Sequence, residues 1–215
     1  FDQMTDDGFF DDFDKVVFYG AGPCGYAACA FSVATPGATV IALEPQATLD
    51  PRVTEWDDRF IEMRMIDFSD RYGFAPDMLE AAAASYVVYD PAAALDAMHA
   101  ALFERKGIQR FRARHLGGGM QAHLLQMDVL TDMVTMAASG KLDRDSFAAL
   151  YRRRRGYPMY VKKLFAAVEK TDRPYAQEAV CAYLVDQFGA PRYRRRLKEL
   201  RQARLGEAAE SESGT

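Results

Sequence analysis

The chain has 215 residues, of which 49% are hydrophobic and 27% charged, and its formal net charge is -4. This is ordinary globular composition, and the length suits one domain with a small appendage. No apolar run reaches the roughly 18 residues of a membrane span, which excludes a membrane protein by this criterion. Residues 1–15 are acidic and aromatic, unlike a signal peptide, so we predict a cytoplasmic protein.

The three cysteines, Cys24, Cys29 and Cys181, form neither a CxxC pair nor a cluster with the spacing of metal ligands. A sparse, odd number of cysteines is typical of a reducing compartment. We therefore expect no disulfide framework, no metal and no cofactor. Cys24 alone lies near a candidate site, and a small buried helix residue is the simpler interpretation of it.

Charge is distributed unevenly along the chain. Residues 1–100 hold 18 acidic and 5 basic side chains, whereas residues 101–215 hold 13 acidic and 22 basic ones. Basic runs occur at 152–155 and 192–198. Such runs are more often solvated helix faces than nucleic-acid sites, so nucleic acid is an unlikely partner.

Short apolar runs alternate with helical patterns in the first half of the chain. A helix is indicated over Gly22–Ala34, and another over Pro91–Arg105. This alternation predicts an α/β fold with one parallel sheet covered on both faces. The predicted strands are Lys15–Tyr19, Thr39–Leu43, Ser85–Tyr89 and Ile108–Ala113.

The sequence reads as helical from Met120 onward, with breaks at glycine and proline. We predict an α/β core over residues 1–138, a helical extension over 139–205 and a disordered tail over 206–215. The chain begins with Phe1 close to the first strand. We therefore expect that further core structure precedes residue 1.

A glycine-rich turn follows the first strand and can be interpreted in two ways. Gly20, Gly22 and Gly25 match G-x-G-x-x-G between a strand and a helix, and Glu44 ends the next strand, 24 residues after Gly20. In a dinucleotide site these glycines let the pyrophosphate approach the helix N-terminus, and the acid binds the ribose. This interpretation predicts an oxidoreductase that binds FAD or NAD.

The same turn also resembles the nucleophile elbow of α/β hydrolases. Residues 19–28, YGAGPCGYAA, are similar to the Y-G-x-S-x-G-G-Y-A-A segment of that family, with Gly22 at the serine position and Cys24 where glycine is usual. The following segment, Leu43-Glu44-Pro45-Gln46, resembles the hydrolase strand that often ends in Ser-Pro-Gln. The resemblance implies a three-layer α/β-hydrolase-like core.

The resemblance extends to the next two strand ends. Asp90 follows the third strand, where the family has its triad acid, and residues 117–119 (GGG) follow the fourth, where the family has its histidine. His115 is the nearest histidine to that position. A triad needs a nucleophile, and Gly22 has no side chain. Asp90, His115 and Cys24 are the candidate catalytic residues that remain.

From Phe9 to about Arg201 the chain also resembles a group of bacterial proteins labelled phosphoadenosine phosphosulfate reductase. Residues 18–52 (FYGAGPCGYAACAFSVATPGATVIALEPQATLDPR) and 89–103 (YDPAAALDAMHAALF) carry this likeness. The Ser-Gly-Gly-rich loop and the Glu-Cys-Gly-x-His segment of true reductases are absent. We expect the label to be inherited rather than to describe the chemistry.

The remaining polar residues favour structural roles. His99 and His123 lie in helical patterns, where a lone histidine is usually held by nearby carbonyl groups. Asp57 and Asp58 are interpreted as loop solvation, because a hard cation needs more oxygen ligands than two.

The first hypothesis is a non-catalytic α/β-hydrolase-like protein with a crevice at the carboxyl ends of the strands. Its partner would be a small anionic ligand or a protein. The alternatives are a residual hydrolase or the labelled reductase, and a dinucleotide-binding oxidoreductase. The predicted ligand-binding residues are Gly20, Gly22, Gly25, Glu44 and Gln46.

Overall fold

A computed structural model describes the backbone of residues 1–213 and the side chains of residues 1–205. The chain divides into two compact units, Phe1–Arg152 and Arg153–Thr215. None of the described helices is both long enough and apolar enough to cross a membrane.

The first unit is built on a four-stranded parallel sheet in the order β1-β2-β3-β4, so the predicted α/β class and parallel sheet are confirmed. Three of the strands have almost the predicted bounds, whereas the first begins and ends two residues later than predicted. Its register pairs Gly20 with Ala42 and Ala21 with Leu43, so the first part of the glycine turn is itself strand. The strands are β1 (Val17–Ala21), β2 (Thr39–Leu43), β3 (Ala84–Tyr89) and β4 (Ile108–Arg112).

Along the chain, one short helix precedes β1, others connect the strands, and three come after β4 in the first unit. In the first unit they are α1 (Asp2–Asp6), α2 (Pro23–Phe31), α3 (Pro51–Thr54), α4 (Ala75–Met78), α5 (Ala94–Leu102), α6 (Met120–Gln126), α7 (Val129–Ala138) and α8 (Arg144–Tyr151). Short 3-10 turns are Phe9–Asp12, Ser32–Ala34, Ile61–Met65, Leu79–Ala81 and Arg152–Gly156.

The two central strands, β2 and β3, are buried on both faces, as their near-continuous apolar runs require. On one face, Val40 and Val87 pack with Cys29 of α2 and Phe103 beyond α5 in one buried cluster.

On the other face, a column of aromatic rings joins the sheet to α8. Tyr86 and Phe111 have ring centroids 5.6 Å apart, Phe111 and Phe147 4.5 Å, and Phe147 and Tyr151 5.7 Å. The Tyr151 hydroxyl donates to the carbonyl of Arg114. The boundary between the compact units therefore follows α8, whereas the sequence prediction began the helical extension at residue 139.

The second unit is helical. Within it, the Phe165 and Tyr193 rings meet edge to face at 5.4 Å, and Cys181 and Leu184 are fully buried. Two arginines of the basic run at 192–198 pair with acids of the same unit, Arg195 with Glu199 and Arg196 with Glu169. Its helices are α9 (Pro158–Val168), α10 (Pro174–Phe188) and α11 (Arg192–Ser213). The tail predicted for 206–215 lies outside the described side chains, and residues 214 and 215 lie outside the described backbone.

Candidate functional site

The end of β1 forms a sharp strand-to-helix turn at Gly22. Gly22 has φ 57° and ψ -126°, close to the first central position of a type II′ turn, which strongly favours glycine. Its N–H donates to the carbonyl of Leu43 at 2.8 Å, which ties the end of β1 to the end of β2. A Cβ added at Gly22 would meet no atom within 4 Å. The apex of the turn therefore faces open space.

The flanking glycines allow close packing below that apex. A Cβ on Gly20 would lie 2.0 Å from the carbonyl oxygen of Cys24. A Cβ on Gly25 would lie 3.2 Å from both the Leu43 oxygen and the Pro45 Cβ. Gly20 is thus required by the fold of the turn itself, whether or not a ligand binds, and a side chain at Gly25 would fit only tightly against the residues that end β2. Cys24 is exposed in the first turn of α2.

Glu44 follows β2 in a left-handed conformation, with φ 48°. Its main-chain N–H donates to the Val88 carbonyl at 2.8 Å, which holds the residue between the ends of β1 and β3. Burial, followed by the negative charge of Asp96, raises the pKa of Glu44 to about 7, although a hydrogen bond from the Met120 N–H opposes the shift. The buried Oε1 atom of Glu44 has no hydrogen-bond partner among the described residues.

Asp90 follows β3 and is only 2% exposed. Its Oδ2 atom accepts from the Gly117 N–H at 2.8 Å, and its Oδ1 atom accepts from the Ala92 N–H at 2.9 Å. Asp90 therefore fastens the segment after β4 to the end of β3. His115 lies in that segment, partly buried, with φ 68°. The strand ends that carry Gly22, Glu44, Asp90 and His115 thus come to one edge of the sheet.

Gln46, predicted as a ligand-binding residue, is 3% exposed, and its buried Oε1 atom has no partner among the described residues. The next residue, Ala47, donates its N–H to Nδ1 of His99 at 3.1 Å. The segment after β2 therefore leads from the candidate edge into a buried polar network.

That network contains residues whose role the sequence did not indicate. Asp57 is 2% exposed and lies 2.8 Å from Nε2 of His99, whereas Asp58 is exposed. The interpretation of both acids as loop solvation was therefore wrong for Asp57. Arg59 donates to Asp57 at 2.8 Å and to Asp96 at 2.6 Å. The ring of His99 is buried and bonded on both nitrogens, by the Ala47 N–H and the Asp57 carboxylate rather than by the nearby carbonyl groups expected from the sequence.

The chemistry available at this edge is limited. The described residues contain no group of three or more His, Cys, Asp or Glu side chains placed to hold a metal ion. Gly22, at the apex of the turn, has no side chain, and both oxygens of Asp90 accept main-chain N–H groups. This end of the sheet combines a sharp glycine turn, an acid with a raised pKa and a histidine-bearing loop.

Comparisons of the chain with protein-family models, with curated proteins and with solved structures found no match.

Proposed function

We propose that this chain is a non-hydrolytic, α/β-hydrolase-like protein that binds a ligand at the carboxyl edge of its sheet. The observation that carries the proposal is the conformation of Gly22. The residue forms a sharp strand-to-helix turn whose apex faces open space, yet it offers no nucleophile. A nucleophile elbow has this strand–turn–helix setting and exposes its reactive atom at the same point.

The strand order supports the same proposal. Each of the four strands lies beside its neighbour in the sequence, so β4 pairs with β3. The usual dinucleotide-binding order is 3-2-1-4-5-6, in which the fourth strand pairs with the first and the ligand binds where the order reverses. No such reversal occurs among the four described strands. The glycine turn is therefore better explained as an elbow than as a pyrophosphate loop.

Loss of the nucleophile explains why binding is proposed without turnover. Removing one triad member commonly lowers the rate by about 10⁴-fold or more. Cys24 is two residues beyond the apex, in the first turn of α2. Crevices at the carboxyl ends of parallel strands bind ligands whether or not they react with them. The ligand class proposed here is a small anion, since the N–H groups of Cys24 and Gly25 in the first turn of α2 have no partner within the helix.

The hydrolysis arm of the test uses p-nitrophenyl esters and a fluorophosphonate probe on the wild-type chain. We expect no labelling and no turnover above buffer. Labelling that disappears in a Cys24→Ala variant would identify Cys24 as a nucleophile and would overturn the non-hydrolytic assignment.

The binding arm uses phenylphosphonate, titrated by calorimetry. Gly22→Leu fills the open apex, and Gly107→Leu is its matched control, because Gly107 also has a positive φ (91°) and open space but lies before β4. We expect saturable binding by the wild type and the control, and loss of binding in Gly22→Leu. Equal binding by all three proteins would contradict the proposed location. Saturable binding of NAD would favour the dinucleotide alternative.

A further inference from the structure

One side of strand β4 is open. Among the described strands β4 pairs only with β3, and the N–H of Ala113, the residue after β4, donates to the Tyr89 carbonyl at 2.8 Å. Main-chain groups of successive residues point to alternate sides of a strand, so the N–H and C=O groups of Arg110 and Arg112 point away from β3. No hydrogen bond to any of these groups occurs among the described residues. This open side, the β4 edge, therefore offers unpaired donors and acceptors.

A groove of about 370 Å³ follows the β4 edge. All five residues of β4 line it, together with Glu104, Arg105 and Arg144 from the neighbouring segments. Side chains alternate between the two faces of a strand, so a groove that touches five consecutive residues must run along the main chain itself. The unpaired main-chain groups of the β4 edge therefore open into this groove.

The groove carries an excess of positive charge. Two of its four arginines, Arg105 and Arg110, form ion pairs with acidic side chains. The other two, Arg112 and Arg144, are exposed and form no ion pair with any described side chain. Arg112 lies on the face of β4 opposite Phe111, whereas Arg144 begins α8, which packs on the Phe111 face. Two unpaired guanidinium groups thus flank the β4 edge, one from each face of the sheet.

These charges decide which kind of strand can pair with the β4 edge. A second copy of β4 would bring arginines against arginines, and like charges across a strand pair are destabilising. Charged side chains on edge strands commonly prevent such pairing between copies. A strand with carboxylate side chains would be attracted instead, since a guanidinium group can hold a carboxylate through two parallel N–H groups.

We propose that the β4 edge binds an extended, acidic segment of a partner protein, which adds a strand to the sheet beside β4. Main-chain hydrogen bonds to Arg110 and Arg112 hold the added strand, as in other cases of β-strand addition. The side chains of Arg112 and Arg144 select acidic residues over neutral or basic ones. The groove contains none of the residues proposed to bind a ligand near Gly22, so the two proposals can fail separately.

The probe is the peptide Glu-Val-Glu-Val-Glu, labelled with fluorescein and amidated, and its binding to the full chain is followed by fluorescence anisotropy. Two analogues separate the contributions. Gln-Val-Gln-Val-Gln lacks the carboxylates, whereas the acidic peptide N-methylated at its three central residues keeps its charge and loses main-chain donors. We expect saturable binding of the probe and at least about threefold weaker binding of each analogue.

Arg112→Pro tests the main-chain pairing on the protein side. Proline removes the outward N–H of residue 112 and leaves the bonds to β3 in place, which is why edge strands tolerate it. Arg112→Gln is the matched control, because it loses the same charge and keeps the N–H. We expect Arg112→Pro to bind the probe at least about threefold more weakly than Arg112→Gln. Circular dichroism melts establish that each variant is folded before the affinities are compared.

The double variant Arg112→Gln/Arg144→Gln tests the charge selection and should bind the probe about three- to tenfold more weakly than the wild type. Arg114→Gln/Lys170→Gln removes the same charge from exposed residues outside the groove, and it should bind like the wild type.

The proposal is overturned if the probe shows no saturable binding up to about 1 mM. Equal binding of either analogue, or equal binding by the two double variants, would also overturn it. Sedimentation equilibrium tests the other occupant, a second copy of this chain. A wild-type dimer that becomes a monomer in Arg112→Pro would assign the β4 edge to self-association and contradict the proposed acidic partner.

Discussion

The Nε2 atom of His99 lies 2.8 Å from Oδ2 of Asp57, and both side chains are closed to solvent. The other ring nitrogen, Nδ1, accepts the Ala47 N–H, so it carries no proton. The remaining ring proton is therefore on Nε2 and is donated to Asp57. Burial, only partly offset by Asp57, lowers the pKa of His99. The ring is a neutral link between the segment after β2, the loop at Asp57 and helix α5.

Replacing Asp57 by asparagine should destabilise the protein by about 2–3 kcal/mol, because the buried carboxylate bonds both His99 and Arg59 and its charge is lost. In this variant Arg59 still pairs with Asp96, so the loss of stability should be smaller than for breaking a fully buried ion pair. Urea unfolding at pH 7 measures the difference. Asp58→Asn is the matched control, and it should stay within about 0.5 kcal/mol of the wild type. Equal unfolding midpoints for the two variants would show that the buried network does not stabilise the fold.

The lowered pKa of His99 gives the stability a defined pH dependence. Below the ordinary histidine pKa of 6.5, the unfolded chain takes up a proton at His99 that the folded chain resists. Stability is therefore expected to fall as the pH drops below about 6.5. In a His99→Gln variant, stability should depend less steeply on pH in this range. Imidazole ¹H–¹⁵N spectra of the folded wild type at pH 6 should show His99 neutral and protonated at Nε2. A charged ring at that pH would contradict the assignment.

Glu44 gives the folding stability the opposite pH dependence from His99. Its folded pKa of about 7 exceeds the ordinary value of 4.5, so the folded chain binds the extra proton between these two values. The contribution of Glu44 to stability is fully present below pH 4.5 and is lost as the pH rises through 7. Glu44→Gln should therefore be more stable than the wild type at pH 8, by about 1 kcal/mol once solvent screening is allowed for.

At pH 4.5 the stabilities of Glu44→Gln and the wild type should nearly converge, because the wild-type carboxyl is then protonated in the folded state and about half protonated in the unfolded state. Glu80→Gln serves as the control, since Glu80 is exposed. Guanidinium unfolding curves of the wild type and both variants at pH 8 and pH 4.5 measure these stability differences. A stability gap between Glu44→Gln and the wild type that is the same at both pH values would exclude titration of Glu44 as its cause.

The sheet was predictable from the sequence because most of its strands have a clear sequence pattern of their own. The apolar β-branched runs of β2 and β3 are bounded by turn residues, and their observed bounds differ from the predicted ones by at most one residue. The first strand was placed two residues early because Gly20 and Ala21 read as turn, although the pairing with β2 extends them as strand. Tertiary pairing overrode the local signal there.

The candidate site was only partly predictable, because contacts between residues distant in the sequence leave no local signal. Gly22, Glu44 and Asp90 each follow a strand, so topology alone brings them to one edge. Asp57 and His99 are 42 residues apart, and nothing in the sequence pattern indicates that they meet.

The tightest steric constraint in the glycine turn is at Gly20, and it gives the sharpest test of the turn geometry. In Gly20→Ala, the new Cβ would lie 2.0 Å from the carbonyl oxygen of Cys24, 2.3 Å from its carbonyl carbon and 2.8 Å from the nitrogen of Gly25. These are backbone atoms, which cannot rotate away as a flexible side chain does. The end of β1 and the start of α2 would have to separate, at a cost of about 3 kcal/mol or more.

Gly118→Ala is the control for Gly20→Ala. A Cβ at Gly118 would meet nothing within 4 Å, and Gly118 does not have a positive φ. Its stability should therefore remain within about 0.5 kcal/mol of the wild type. Thermal and urea unfolding of both variants, followed by circular dichroism, provide the comparison. If Gly20→Ala unfolds at the same midpoint as Gly118→Ala, β1 and α2 do not approach as closely as described, and the elbow assignment at Gly22 loses its geometric basis.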